Sequence, residues 1–205
     1  MKNIFGKIPG IIILLFLFSP CFAQKTKTDT HKKDTLQIFI IRHGEKSNNY
    51  DSLSCDSAGV VGDNLSCMGL NRALSLANVL YQKIGVPNHV YVAKPHSGKS
   101  TGSSRMFQTI TPFAVKYNLQ LNTEFKETDT TQAAKSILGK KNTVLVVWEH
   151  GNIPGLVRRL GVKTTVPKWA CGDFDSIWTV TIIGKKVTLS MTEKEGITPS
   201  PVCPQ

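Results

Sequence analysis

The chain has 205 residues, only 8% of them aromatic, and carries 25 Lys and Arg against 14 Asp and Glu, a formal net charge of +11. The basic excess favours anionic partners, but the positive charge forms no long run and the aromatics are not interleaved with it, which argues against a nucleic-acid stacking platform. No internal repeat, low-complexity tract or zinc-type Cys/His spacing is present.

In chain order, the N-terminus reads as a targeting segment. Lys2 and Lys7 accompany an apolar run from Ile8 to Phe18, and Cys21-Phe22-Ala23 places small residues at its outer positions, so residues 1–23 are expected to be a signal peptide. The run is short for a membrane span. An uncleaved anchor and a lipid on Cys21 are the other readings, and only through them would the chain meet a membrane. Residues 1–23 hold Lys2 and Lys7 and no acid, so the exported chain would keep +9 of the +11. Residues 24–35 form a polar leader with Lys25, Lys27, Lys32 and Lys33. Residues 36–205 are the size of one domain.

Within that domain, strands and helices alternate. The run Leu36 to Ile41 reads as a buried strand over 36–42. A helix is expected over 66–83 with Ser66 as N-cap and Leu70, Leu74, Ala77, Leu80 and Ile84 on its apolar face. A strand at 89–93, a helix at 103–117, a short strand near 119–123 and a helix at 129–138 closed by Gly139 follow. The next strand is 143–149 and the next helix 153–160. Ile177–Ile183 and Lys186–Thr192, joined by Gly184-Lys185, read as a hairpin that ends the fold. The alternation predicts an α/β domain, three layers α/β/α, with a mostly parallel central sheet and a small C-terminal hairpin.

Cys55, Cys67, Cys171 and Cys203 remain after cleavage, an even number that permits two disulfides in an exported protein. Three connectivities exist; Cys55 with Cys67 and Cys171 with Cys203 are the favoured pairs.

The chemistry-bearing residues follow strands or open helices. Arg42-His43-Gly44-Glu45 comes directly after the first strand, where open α/β sheets bind ligands. Arg offers a planar fork for phosphate oxygens, and His can act as a nucleophile. Gly44 permits close approach of the backbone to a ligand. Further on stand Leu65-Ser66-Cys67-Met68-Gly69-Leu70-Asn71-Arg72-Ala73, then Ser103-Ser104-Arg105 with Gln108-Thr109 close behind. Trp148-Glu149-His150-Gly151 follows the strand from 143. Taken singly, His43 reads as well as a core histidine, Arg105 as a surface arginine and His150 as a strand-end residue. Their combination in this order is what points to a site.

This order resembles the histidine phosphatase superfamily, with its phosphoglycerate-mutase-like fold. The family pattern is RHG, then LSxxGxxRA, then a second Arg with QT behind it, then a second His after a strand. The likeness covers about residues 36 to 162, and the Trp-Glu-His spelling is similar to small phosphatase-type members. The resemblance implies that His43 is a nucleophile forming a phosphohistidine. Arg42 and Arg105 would clamp the phosphoryl oxygens, and His150 would donate a hydrogen bond to them from the opposite side. It implies no metal or other cofactor, a small phosphorylated substrate and no nucleic-acid partner. Asn49 is a candidate phosphate contact, its register left open by Asn48. Glu45 is expected to pair with an Arg. Among carboxylates that could protonate the leaving group, Glu127 is the first choice, with Asp129, Glu124 and Glu149 behind it. His96, Lys94 and Lys99 are candidates for contacting the rest of the substrate.

The leading expectation is therefore an exported, metal-independent phosphomonoesterase. A phosphate-ligand binding protein of the envelope with little catalysis is the alternative, and a phosphoglycerate-type mutase a weaker one. There is no room between Arg105 and His150 for the insertions that would shield a phosphoenzyme from water. The sequence names neither the substrate nor the oligomeric state.

Overall fold

The computed structural model describes residues 35–46, 64–96 and 103–204. Residues 1–34, Asn49, Cys55 and Lys99 lie outside the described residues. The described part contains six strands, β1 (Thr35–Arg42), β2 (His89–Val92), β3 (Leu121–Asn122), β4 (Asn142–Trp148), β5 (Ser176–Ile183) and β6 (Lys186–Lys194). Four helices join them: α1 (Cys67–Ile84), α2 (Ser104–Lys116), α3 (Thr130–Leu138) and α4 (Ile153–Arg159). The expected elements are thus all present. Thr35, assigned to the leader by sequence, instead opens β1 and pairs with Ile183.

The strands form one sheet in the order β3-β2-β4-β1-β5-β6. β1, β2, β3 and β4 run parallel, while β5 and β6 form the antiparallel hairpin at one edge. β1 lies between β4 and β5, which is why its sequence is almost continuously apolar. Ile38, Ile40 and Ile41 are fully buried there. Each such side chain contributes about 1.5–3 kcal/mol by leaving water.

The order of strands dictates where ligands can enter. From β1 the chain crosses to β2 and then to β3, moving in one direction, and α1 packs against α2. From β3 it reverses towards β4 and β5, and α3 packs against α4. Parallel crossovers are right-handed, so the reversal puts the two helix pairs on opposite faces of the sheet. β1 and β4 are neighbours whose following helices leave to opposite faces. The crevice at their carboxyl ends is the topological switch point. The register Arg42↔Trp148 brings the ends of both strands level there.

α1 begins as expected. The Ser66 hydroxyl accepts from the Gly69 N–H at 3.2 Å and donates to the Glu45 carbonyl. Its buried face is rotated from the expected one, however. Gly69, Arg72, Ala73, Leu76, Ala77 and Leu80 face inward, while Leu70 and Leu74 are exposed. The cause is local. A Cβ on Gly69 would stand 2.2 Å from the Glu45 carbonyl oxygen, so only glycine lets the helix start lie against the loop after β1. That placement turns Arg72 inward, where Glu45 meets it in a two-pronged pair. The expected Glu45–Arg pair is therefore present.

Two expectations about the C-terminus are corrected. The hairpin does not end the fold: after β6 the chain returns to α1. Glu195 is buried against Arg72, Ile197 supplies a carbonyl to Arg72, and Asn71 donates to the carbonyls of Ser200 and Val202. Cys203 then pairs with Cys67, which overturns both favoured disulfides. Cys171 is disulfide-bonded as well. The tail reaches the start of α1 because Arg72 and Asn71 draw it there.

Candidate active site at the switch point

Arg42 ends β1 and is buried. Its Nη1 donates to the carbonyls of Cys171 at 2.5 Å, Asp173 at 3.3 Å and Ala170 at 3.5 Å. Its guanidinium carbon lies 3.9 Å from the centroid of the Phe174 ring. Burial lowers its pKa to about 10, which leaves it a cation at neutral pH.

His43 is next and is also buried. Its Nδ1 stands 2.7 Å from the Gly44 carbonyl oxygen. A carbonyl can only accept, so Nδ1 carries the proton and Nε2 keeps its lone pair. Burial, and then the positive charge of Arg42, drive the pKa down to about 3, with Arg105 and His150 acting in the same direction. The neutral tautomer with a free Nε2 is the state at physiological pH.

Gly44 supports this arrangement. Its N–H donates to Thr109 Oγ1 at 2.9 Å, and a Cβ would stand 3.0 Å from the Gly69 carbonyl oxygen. Thr109 donates in turn to the carbonyl of Arg105 at 2.8 Å. This chain of bonds ties the first turn of α2 to the His43 loop. Half-buried Arg105 thereby comes close enough for its charge to bear on both Arg42 and His43.

His150 arrives from the end of β4. Its ring lies 6.4 Å from that of His43, edge to face at 82°. Its Nδ1 is 2.6 Å from Glu149 Oε1 and 3.4 Å from Arg42 Nη2. The other Glu149 oxygen accepts from the Asn152 N–H at 3.1 Å and its Nδ2 at 2.9 Å. Burial alone would raise the pKa of this carboxyl. The bonds from His150, Gly151 and Asn152 outweigh that and lower it to about 2.

The residues expected at the site thus divide. Arg42, His43, Arg105 and His150 converge on the crevice. Glu127 lies on the loop after β3, its carbonyl held by the Trp148 indole N–H at 2.8 Å and its Oε1 3.4 Å from His96 Nε2. His96 is half-exposed at the rim, where Nε2 also lies 3.4 Å from Ser103 Oγ. Trp148 is fully buried and fixes the Glu127 backbone. Asn49 is outside the described residues. Phe174 walls the site against both Arg42 and His43. Sequence reasoning had no means of seeing the three carbonyls around Arg42. Among the described residues, no group of three or more His, Cys, Asp or Glu is arranged to hold a metal.

No family model matches the sequence. No curated protein matches it either. Solved structures do match. The alpha-ribazole phosphatase from Shigella flexneri aligns at 15% identity over 80% of this chain and 99% of that one, with a TM-score of 0.53. The protein histidine phosphatase SixA, complexed with tungstate, aligns at 20% identity over 80% of this chain and 97% of that one, with a TM-score of 0.51. Mycobacterial hydrolase 2 aligns at 14% identity over 80% and 94%, with a TM-score of 0.53. The chain has the histidine phosphatase fold. In this fold the β1–β4 crevice presents two cations, a neutral imidazole and a carboxylate-bound imidazole on one patch. Such a patch can bind a tetrahedral oxyanion and attack its central atom.

Proposed function

We propose that the protein is a phosphomonoesterase that works through a phosphohistidine on His43. The observation that carries this is the Nδ1 bond from His43 to the Gly44 carbonyl, which leaves Nε2 unprotonated inside a cationic pocket. Nε2 attacks phosphorus, the bond to the ester oxygen breaks, and the phosphoryl group passes to nitrogen. Arg42 and Arg105 hold the non-bridging oxygens as their charge develops, and His150 stands on the facing side. Water then cleaves the P–N bond and releases inorganic phosphate. Two guanidiniums and an imidazole supply the positive field, so the reaction needs no metal. The phosphatase names of the aligned proteins and the oxyanion in the SixA complex support this reading. The substrate is a small phosphomonoester. The protein is exported; the Cys67–Cys203 disulfide supports an oxidising compartment.

The test is hydrolysis of p-nitrophenyl phosphate in the presence of a chelator. The parent turns over and His43→Ala loses at least about 10⁴-fold. Acid-labile phosphate is trapped on the parent alone. The acid limb of kcat/KM should not fall near 6.5, the ordinary value for histidine. Because burial and Arg42 hold His43 near 3, the nucleophile stays unprotonated at all higher pH. Activity that depends on added metal and survives His43→Ala would remove the proposal.

A further inference from the structure

Departure of an alkoxide from phosphorus needs a proton. Among the described residues four carboxyl groups surround or approach the crevice, and Glu45 and Asp173 are engaged elsewhere. Glu45 is taken up by Arg72. Asp173 accepts from the N–H groups of Asp175 and Ser176, from the Ser176 hydroxyl and from Lys194. Glu127 faces the rim, its Oε1 3.4 Å from His96 Nε2 and its buried Oε2 without a hydrogen bond among the described residues. Glu149 alone of the four meets His150 Nδ1, and its geometry suits holding a proton donor better than being one.

Both Glu149 oxygens are fixed. Oε1 meets His150 Nδ1 at 2.6 Å, and Oε2 is anchored by two N–H groups of Asn152. Gly151 leaves the space for this: a Cβ there would stand 3.0 Å from Oε2. With Nδ1–H committed to the carboxylate, the His150 ring has one orientation and its Nε2 is free. A carboxylate on Nδ1 stabilises the imidazolium form, as the buried Asp does in a Ser-His-Asp triad. The groups facing His150 are His43 from the edge of its ring, the cation Arg42 at 3.4 Å, and Glu149 itself. Arg42 opposes a second positive charge there, and Glu149 is the counter-charge that permits it.

We propose that His150, positioned and charge-balanced by Glu149, is the acid that protonates the leaving oxygen. This rests on the phosphohistidine reading and adds to it the group that completes the first step. His43 Nε2 forms its bond to phosphorus as the P–O ester bond breaks. The bonding pair stays on the ester oxygen, which takes the proton from His150 Nε2. The products are an alcohol, phosphohistidine 43 and neutral His150. In the second step His150 takes a proton from water, the oxygen of that water bonds to phosphorus, and the P–N pair returns to His43. Glu149 stays ionised throughout and is a positioning residue.

The experiment compares two esters on the full chain. p-Nitrophenolate leaves without a proton, and the alkoxide of glycerol 3-phosphate does not. Glu149→Gln should lower kcat/KM for glycerol 3-phosphate on the order of 100-fold and for p-nitrophenyl phosphate less than about 5-fold. Glu149→Asp, which keeps the charge, should recover part of the rate on the alkyl ester. It also serves if the Gln variant does not fold. Equal losses on the two esters would mean that Glu149 is merely structural and would overturn the proposal. Selective loss on the alkyl ester in Glu127→Gln, with Glu149→Gln unaffected, would transfer the role to Glu127. Phosphoenzyme trapping with p-nitrophenyl phosphate separates the two levels. Its presence in parent and Glu149→Gln keeps the nucleophile assigned whatever the acid proves to be. Its absence from the parent overturns the phosphohistidine reading and this inference together.

Discussion

Arg42 and Arg72 are both buried, and the protein treats them in opposite ways. Arg72 is surrounded by carboxylates. Glu45 takes its Nε and Nη2 within 3.0 Å, Glu195 takes Nη1 at 2.7 Å, and Asp175 lies 3.6 Å away. Arg42 is met, among the described residues, by three main-chain carbonyls, the His150 ring and an aromatic face. Carboxylates cancel a charge, whereas carbonyl dipoles and a ring orient it and leave it net positive. A closed cluster is what a structural arginine needs. An arginine kept for an arriving anion must be held without being neutralised. The two are joined through three consecutive residues: His43 borrows the Gly44 carbonyl, and Glu45 anchors the loop to Arg72.

Substitutions should break this comparison along different axes. Arg72→Ala leaves Glu45 and Glu195 buried without a partner and should cost about 3–5 kcal/mol of stability. A urea titration measures it, and turnover per folded molecule should stay within a few-fold of the parent. Arg42→Lys should do the reverse. The lost fork should lower kcat/KM about 10²–10³-fold, while the urea midpoint hardly moves. If Arg42→Lys destabilised the fold as much as Arg72→Ala, the distinction between the two arginines would be lost. Cys203→Ser sharpens the structural side. The bond to Cys67 spans 136 residues. Its loss should cost about 2–4 kcal/mol, read as a lower Tm with activity at low temperature retained.

Much of this was legible because it is local. The β-branched run before Arg42, the Ser66 cap and the Gly184-Lys185 turn each act within a few residues, and Gly184 does adopt a positive φ of 60°. The convergence of Arg42, His43, Arg105 and His150 followed from their places after strands and at a helix start. What escaped depends on partners far along the chain. The apolar face of α1 was expected to include Leu70 and Leu74, whereas Arg72 is the residue that turns inward. Glu195, 123 residues away, and Glu45 are what hold it there, with Asp175 and the Ile197 carbonyl beside them. The carbonyls of Ala170, Cys171 and Asp173 have no side-chain signature at all. Glu149 was seen only as a possible acid, and its bond to His150 escaped for another reason. Both residues lie past the end of β4, where the turn through Asn152 holds the carboxylate against His150.

The smallest effect concerns pH and tests whether the Arg72 cluster is as closed as its distances imply. Burial, with the charges of Asp175 and Glu45, raises the Glu195 pKa to about 8 in spite of Arg72. The folded state then binds a proton that the unfolded chain has released above about 4.5. Stability from this group is full below that value and is lost as pH rises towards 8. His43 acts with the opposite sign. Its folded value near 3 lies below the ordinary 6.5, so its contribution is lost as pH falls through that window. The two oppose each other between 4.5 and 6.5, and from 6.5 to 8 Glu195 acts without opposition from His43. The urea midpoint of the parent should therefore decline from pH 6.5 to 8, by at most about 2 kcal/mol in stability. Glu195→Gln, which keeps an oxygen for Arg72 and cannot ionise, should be flat over the same interval. A decline of equal size in the variant would mean that Glu195 is already ionised at pH 6.5. Arg72 would then be neutralised by two carboxylates throughout, and its contrast with Arg42 would be wider still.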